Sequence, residues 1–233
     1  MRLVLLFCLL TLTAASFDPY QDNGGLISAV AGRDFVVVAC DTRMMRGYEI
    51  LTRSVANRIW QAEDRSVLVA SAGCSADCDQ LRRVIRSDLR QAKITVTPKV
   101  VATLLSQTLY GRRGFPYYSF CIVGGLGDVG QVYVYDAIGS YEGVAVATSG
   151  TGRDLLQPIL DRQFKAVDQI GSSKPLKYVD CSKEDALLIL EHAYRAVSER
   201  EIGVGDELML CSISRSDDGD IHCETFHRPL KQH

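Results

Sequence analysis

Asp41-Thr42-Arg43 places a carboxylate, a hydroxyl and a guanidinium side by side at the end of an apolar run, Phe35–Asp41. A charged pair at such a point is either a structural salt bridge or part of a reactive site, and the structural role is the default. The four histidines, His192, His222, His227 and His233, show no spacing that would build a metal site or a proton relay, and solvated or structural roles are expected for them. Of eight cysteines only Cys74 and Cys78 lie close together, as C-x3-C on an expected helix. Zinc would need two further ligands at matched spacing, and none follows. Buried free thiols in a reducing compartment are the simpler expectation. No metal and no cofactor is expected.

Two further motifs carry alternative readings. Gly125-Leu126-Gly127-Asp128-Val129-Gly130 matches G-x-G-x-x-G, but a dinucleotide loop must open a helix, and here the strand-like Gln131–Asp136 follows. A hairpin turn is expected instead. Arg112-Arg113-Gly114-Phe115-Pro116-Tyr117-Tyr118 mixes basic and aromatic residues as a single-strand nucleic-acid platform would. The net charge of −2 argues against that and for a tight helix-to-strand entry presented at a protein interface.

The elements that must position these groups follow from hydrophobic period. With 233 residues, 47% of them hydrophobic, the chain can bury a full two-layer core. Leu26–Ala31 and Phe35–Asp41 read as a buried hairpin, Tyr48–Thr52 and Arg58–Ala62 as a shorter pair, and Ser66–Ser71 as a further strand. Cys78, Leu81, Ile85, Leu89 and Ala92 then fall on one helical face, and a second helix runs from Pro98 to Gly111. Strands return at Tyr117–Val123, Gln131–Asp136 and Gly143–Thr148. A helix over Arg153–Phe164 should turn Leu155, Leu156, Ile159 and Leu160 inward. Another opens at Ser182, with Asp185 three residues on, and buries Ala186, Leu187, Leu190, Ala193, Tyr194 and Val197. Glu207–Ser214 and Ile221–Phe226 close the chain through the turn Asp217–Asp220. Asp168–Lys177 reads as a surface loop. The order of strands, two helices, strands, two helices, strands predicts antiparallel sheets faced by helix pairs, an α+β fold and not a parallel βαβ sheet.

Residues 1–16, MRLVLLFCLLTLTAAS, have the basic start, apolar run and small residues of a secretory signal, and the run is too short to span a bilayer.

Taken in order, several segments resemble proteasome beta subunits: Gly24-Gly25 before a strand, FVVVACDTR at Phe35–Arg43, Ser71-Ala72-Gly73 before a helix, IVGGL at Ile122–Leu126, DAIGSY at Asp136–Tyr141, SGTG at Ser149–Gly152 and EREIGVGD at Glu199–Asp206. The likeness runs from about residue 17 to the end. It is greatest to the sixth beta position, beta-6, one of the family's inactive subunits, through Phe17–Tyr20, Asn23-Gly24-Gly25, Leu109–Tyr118, Val134–Tyr141 and Leu156-Gln157-Pro158. The resemblance implies a four-layer αββα sandwich, the N-terminal nucleophile hydrolase fold. It also implies assembly with other alpha and beta subunits in a four-ring hetero-oligomer of cytoplasm and nucleus, without nucleic acid or membrane. The leader is then expected to be a propeptide, with residues 1–15 removed and 16–233 forming the beta-subunit domain.

Active members of that family attack the peptide carbonyl with an N-terminal threonine hydroxyl, its own α-amine taking the proton while a lysine lowers the pKa of the pair. Counted back from Asp41, the nucleophile position falls on Gly25 and the lysine position on Asn57. The first lysine in the chain is Lys93, and no threonine lies between Thr13 and Thr42. A later aspartate of the site corresponds to Glu201 and a serine to Val204, while Asp41 and Gly205 keep the family residues. The expectation is a chain with no catalytic residues of its own, acting as a structural subunit of a complex for ubiquitin-dependent degradation. Two alternatives remain at this stage. One is a hydrolase using a processed Ser16, which lies nine residues ahead of Gly25. The other is a secreted or diverged protein of the same fold working outside the proteasome, an idea weakened by the lack of any N-x-[ST] sequon.

Overall fold

Strands β1 (Leu26–Ala31) and β2 (Phe35–Asp41) are buried at every position, and the reason is visible in where alternate side chains go. Phe35, Val37 and Ala39 point into one hydrophobic cluster while Val36, Val38 and Cys40 point into another. A strand whose two faces are both covered reads as a continuous apolar run, not as an alternating one. The structure is a computed structural model that describes residues 19–164, 178–216 and 218–232. The expected leader, Ser16, the loop Asp168–Lys177, Asp217 and His233 lie outside the described residues.

Among the described residues the further strands are β3 (Met44–Arg46), β4 (Glu49–Thr52), β5 (Ile59–Gln61), β6 (Val67–Gly73), β7 (Ser119–Leu126), β8 (Gly130–Tyr135), β9 (Tyr141–Val144), β10 (Val146–Gly150), β11 (Glu207–Arg215) and β12 (Ile221–Pro229). The helices are α1 (Ser75–Ala92), α2 (Pro98–Gly111), α3 (Arg153–Gln163) and α4 (Lys183–Ser198). One antiparallel sheet has the order β10-β1-β2-β11-β12 and the other β5-β6-β7-β8-β9. Leu156, Leu160, Leu190 and Tyr194 cover the outer face of the first sheet. Leu81, Ile85, Leu105 and Leu109 cover that of the second. Ile27, Ala29, Val36 and Val38 meet Leu68, Ala70 and Ile122 between the sheets. The layers are therefore helix, sheet, sheet, helix, as the family resemblance implies. Gly124 lets the sheets close: a Cβ there would stand 2.8 Å from Val38 Cγ2.

Local signals set the helix starts. Thr97 accepts from the Val100 amide, with Pro98 in the first turn of α2. Ser182 Oγ accepts from the Asp185 amide and donates to Asp185 Oδ2, which completes the expected cap of α4.

Three expectations are corrected. Tyr48–Thr52 and Arg58–Ala62 do not pair: β4 pairs with the three-residue β3, and β5 pairs with β6. The segment Gly143–Thr148 is not one strand, because the chain crosses between the sheets at the buried Ala145, so β9 ends one sheet and β10 edges the other. Leu155 is 41% exposed; only Leu156 and Leu160 of the four residues expected to face inward are fully buried. The glycine-rich motif is the hairpin between β7 and β8, with Leu126 opposite Gly130.

Candidate functional site

The end of β2 delivers Asp41 into a closed interior. Its carboxylate is 0% exposed. Oδ1 accepts from the Leu26 amide at 2.9 Å, and Oδ2 accepts from the Gly205 amide at 3.4 Å. A guanidinium beside it belongs to Arg58, whose Nη1 lies 2.8 Å from Oδ1. Arg58 Nη1 also donates to the Asp41 carbonyl at 2.5 Å, and Nη2 donates to the Arg43 carbonyl at 2.7 Å. Burial pushes the Asp41 carboxyl above its ordinary range, opposed by the Arg58 charge and by backbone N–H donors.

Gly25 sits directly over this pair. Its φ of +96° is a left-handed conformation, and a Cβ built there would stand 2.4 Å from Arg58 Nε and 2.5 Å from Cζ. Any side chain at Gly25 would have to displace the guanidinium. Asn57, the neighbouring residue, is exposed and lines a cleft of about 340 Å³ with Ser71, Gly73, Cys78 and Asp79. Arg58 lines the same cleft but is buried, with its guanidinium on Asp41, where the count along the chain had drawn attention to Asn57. Of the other counted positions, Glu201 bends back to accept from its own Gly203 amide at 3.1 Å. Val204 is fully buried in the cluster beneath α3 and α4. Structure thus brings Gly25, Asp41 and Gly205 together, leaves Asn57 and Glu201 outside, and adds Arg58. The signal for Arg58 was a lone cation abutting the apolar pair Ile59-Trp60.

The chain ahead of Gly25 is stitched into the fold. Tyr20 stacks on Phe115 with ring centroids 5.4 Å apart and donates to the Pro116 carbonyl at 2.9 Å. Asn23 Nδ2 donates to the Met45 carbonyl, and Asn23 Oδ1 accepts from the Ser75 amide. The backbone adds Asn23 N–H to Gly73 O and Gly73 N–H to Gly24 O. The basic-aromatic segment is the expected tight entry: Arg112 lies over the Tyr117 ring and Arg113 over Tyr110.

A second buried carboxylate lies beyond the end of β2, and sequence reasoning missed it. Asp206, in a left-handed conformation with φ of 69°, receives Arg43 Nε at 2.7 Å, Arg43 Nη2 at 3.1 Å and Arg53 Nη1 at 2.6 Å. Arg43 is fully buried and also donates to the carbonyls of Ile202 and Lys231. Asp41 and Arg43 are therefore both in ion pairs, though not with each other.

Among the described residues, His192, His222 and His227 are exposed, and no group of three or more His, Cys, Asp or Glu could hold a metal ion. The described cysteines are free thiols, Cys223 exposed and Cys78 and Cys181 partly so, against the expectation of buried thiols. No described helix is long and apolar enough to cross a membrane.

A family profile described as proteasome subunit matches residues 21–213. A proteasome subunit beta type-1 of Arabidopsis thaliana is 38% identical over 83% of this chain and 89% of its own length. A protein of the same name from Danio rerio is 36% identical over 85% of this chain and 84% of its own. A probable proteasome subunit beta type-6 of Encephalitozoon cuniculi is 33% identical over 93% of this chain and 71% of its own.

Proposed function

This chain belongs to the proteasome subunit family, and from that premise we propose that it is a non-catalytic beta subunit of the 20S core particle. It assembles with other alpha and beta subunits, occupies the inner ring and helps to enclose the chamber in which neighbouring subunits cut proteins delivered by the ubiquitin system. Cytoplasm and nucleus are its compartments.

One observation carries the non-catalytic reading: Gly25 offers no oxygen, and the Arg58 guanidinium stands where its side chain would begin. A family member that cuts needs a hydroxyl or equivalent nucleophile and a group to take its proton. Arg58 supplies neither, because a guanidinium stays protonated throughout the physiological range and accepts no proton. Asn57 is neutral and faces the cleft, so it cannot lower the pKa of an amine. Retention of Asp41 and the Gly205 amide without these partners leaves a supporting frame around an absent reaction, and catalytic groups that act as a unit lose almost everything when the central one is missing.

The hydrogen bonds from Tyr20 to Gly24 support a mature chain that keeps these residues, with cleavage near Ser16 removing the leader 1–15. A new terminus at Gly25 would sever the bonds made by Asn23 and Gly24.

Native mass spectrometry of the endogenous complex, with subunit masses read after dissociation, tests this. The chain is expected in a four-ring particle with its leader absent. Recovery alone, or outside the cell with disulfides formed, would contradict the assignment and favour a diverged protein of the same fold.

A further inference from the structure

Three tyrosines gather where β8 and β9 meet the start of α2, and they use their hydroxyls differently. Tyr135 is buried, and its hydroxyl donates to the Ala102 carbonyl at 2.7 Å. The Tyr133 hydroxyl donates to Gln131 Oε1 at 3.0 Å. The Tyr141 oxygen instead accepts from a cation: Lys99 Nζ donates to it at 3.0 Å, at the exposed surface. The Lys99 bond, and after it a bond from Thr103 one turn further along α2, hold the Tyr141 phenol below the ordinary tyrosine range. Burial pushes the phenols of Tyr133 and Tyr135 the other way.

The Tyr141 ring is also fixed in place. It lies opposite Tyr135 in the β8–β9 register and stacks on it, with ring centroids 5.1 Å apart and planes 17° apart. Tyr133 meets it nearly edge-on, with centroids 5.8 Å apart. Lys99 Nζ lies 5.5 Å from the Tyr133 ring centre, a second contact that orients the ammonium. A phenol whose oxygen receives a charged donor is favoured as phenolate, and the phenolate is the form that attacks.

We propose that Tyr141 is a covalent-modification site, a nucleophilic phenol with Lys99 as its positioning residue, that takes sulfonyl electrophiles of the aryl sulfonyl fluoride class. The phenol oxygen attacks sulfur, the O–S bond forms, the S–F bond breaks and fluoride leaves. The phenol proton passes to solvent, so the products are an aryl sulfonate ester and hydrogen fluoride. Every group of the site belongs to this chain, and the inference goes beyond the proposed function without depending on it.

The test is incubation of the full-length chain with benzenesulfonyl fluoride near neutral pH, with adducts located and timed by peptide mass spectrometry. Tyr48 and Tyr110, 94% and 55% exposed, serve as internal controls. Tyr141 is less exposed than either, yet should gain the adduct about tenfold faster, the rate effect expected of one charge-assisted hydrogen bond to the nucleophile. Lys99 is exposed, so its replacement leaves the core intact. Lys99→Met should bring Tyr141 down to the rate of the controls, and Lys99→Arg, which keeps a cationic donor, should retain most of the advantage. Tyr141→Phe should abolish the fast adduct.

Equal labelling of the three tyrosines in the unaltered chain would overturn the proposal. So would a Tyr141 rate unmoved by Lys99→Met, or an adduct on the Lys99 nitrogen in place of Tyr141. Equal loss in Lys99→Met and Lys99→Arg would mark Lys99 as a packing residue and overturn it as well. A chain found outside the particle would contradict the functional reading and leave these rates unchanged.

Discussion

Asp41 and Asp206 are both buried carboxylates beside guanidinium groups, and they titrate in opposite directions. Asp41 has Arg58 alone, and burial outweighs it, so the carboxyl is held above its ordinary range. Asp206 is also penalised by burial, yet hydrogen bonds and charge from both Arg43 and Arg53 hold it below that range. One cation over a fully enclosed acid does not offset its desolvation; two cations over an acid with 3% of its side chain exposed do. The first pair lies at the position that the proposed reading assigns to the family's lost nucleophile. The second ties β2 to the Ile202 turn and the C-terminal segment through Arg43. The difference separates a fully enclosed carboxylate held by Arg58 from one whose arginines hold parts of the chain together.

Removal of Arg43 should break the comparison most strongly. Arg43→Ala leaves the Ile202 and Lys231 carbonyls and most of Asp206 without their donor, and should cost about 5 kcal/mol in urea unfolding. Arg58→Ala should cost less, about 3 kcal/mol, because the raised pKa of Asp41 lets the stranded carboxyl take up a proton. Equal losses for the two variants would mean that Asp41 does not neutralise. Arg53→Ala should cost no more than about 1 kcal/mol, since its side chain is 47% exposed and Asp206 keeps Arg43.

Acid sharpens the contrast with a smaller effect. The folded-state pKa of Asp206 lies below its unfolded value, so its stabilisation is complete above about pH 4 and is lost as pH falls through the folded value. Asp41 has a folded pKa above its unfolded value. Its ionised form therefore costs stability at neutral pH, and that cost is relieved as pH falls through the raised value. Stability measured by urea between neutral pH and pH 3 should fall more steeply at the acid end for the unaltered chain than for Asp206→Asn. A parallel pair of curves would remove Asp206 from the account.

The sequence made the central hairpin legible because β1 and β2 are apolar at nearly every position and are separated by Gly32-Arg33-Asp34. The helix pairs were legible from their apolar stripes and from caps such as Ser182. What failed was short or double-sided. Met44–Arg46 is three residues long and carries no pattern, so β4 was given the wrong partner. Gly143–Thr148 reads as one apolar run because β9 and β10 lie end to end, and nothing local marks the change of sheet at Ala145. The site was legible as far as counting along the chain allowed. Gly25, Asp41 and Gly205 do meet. Arg58 was missed because the count along the chain lands on its exposed neighbour Asn57, and nothing local in the sequence marks which of the two is buried. Asp206 was missed because its arginine partners are far away in sequence and a left-handed aspartate has no periodic signal.

The most direct test of the central claim is covalent labelling of the intact particle with an inhibitor that reacts with an N-terminal threonine and its amine, followed by intact-mass measurement of every subunit. This chain is expected at its unmodified mass while catalytic neighbours gain the adduct. An adduct on this chain would show that it carries a working nucleophile and would contradict the account.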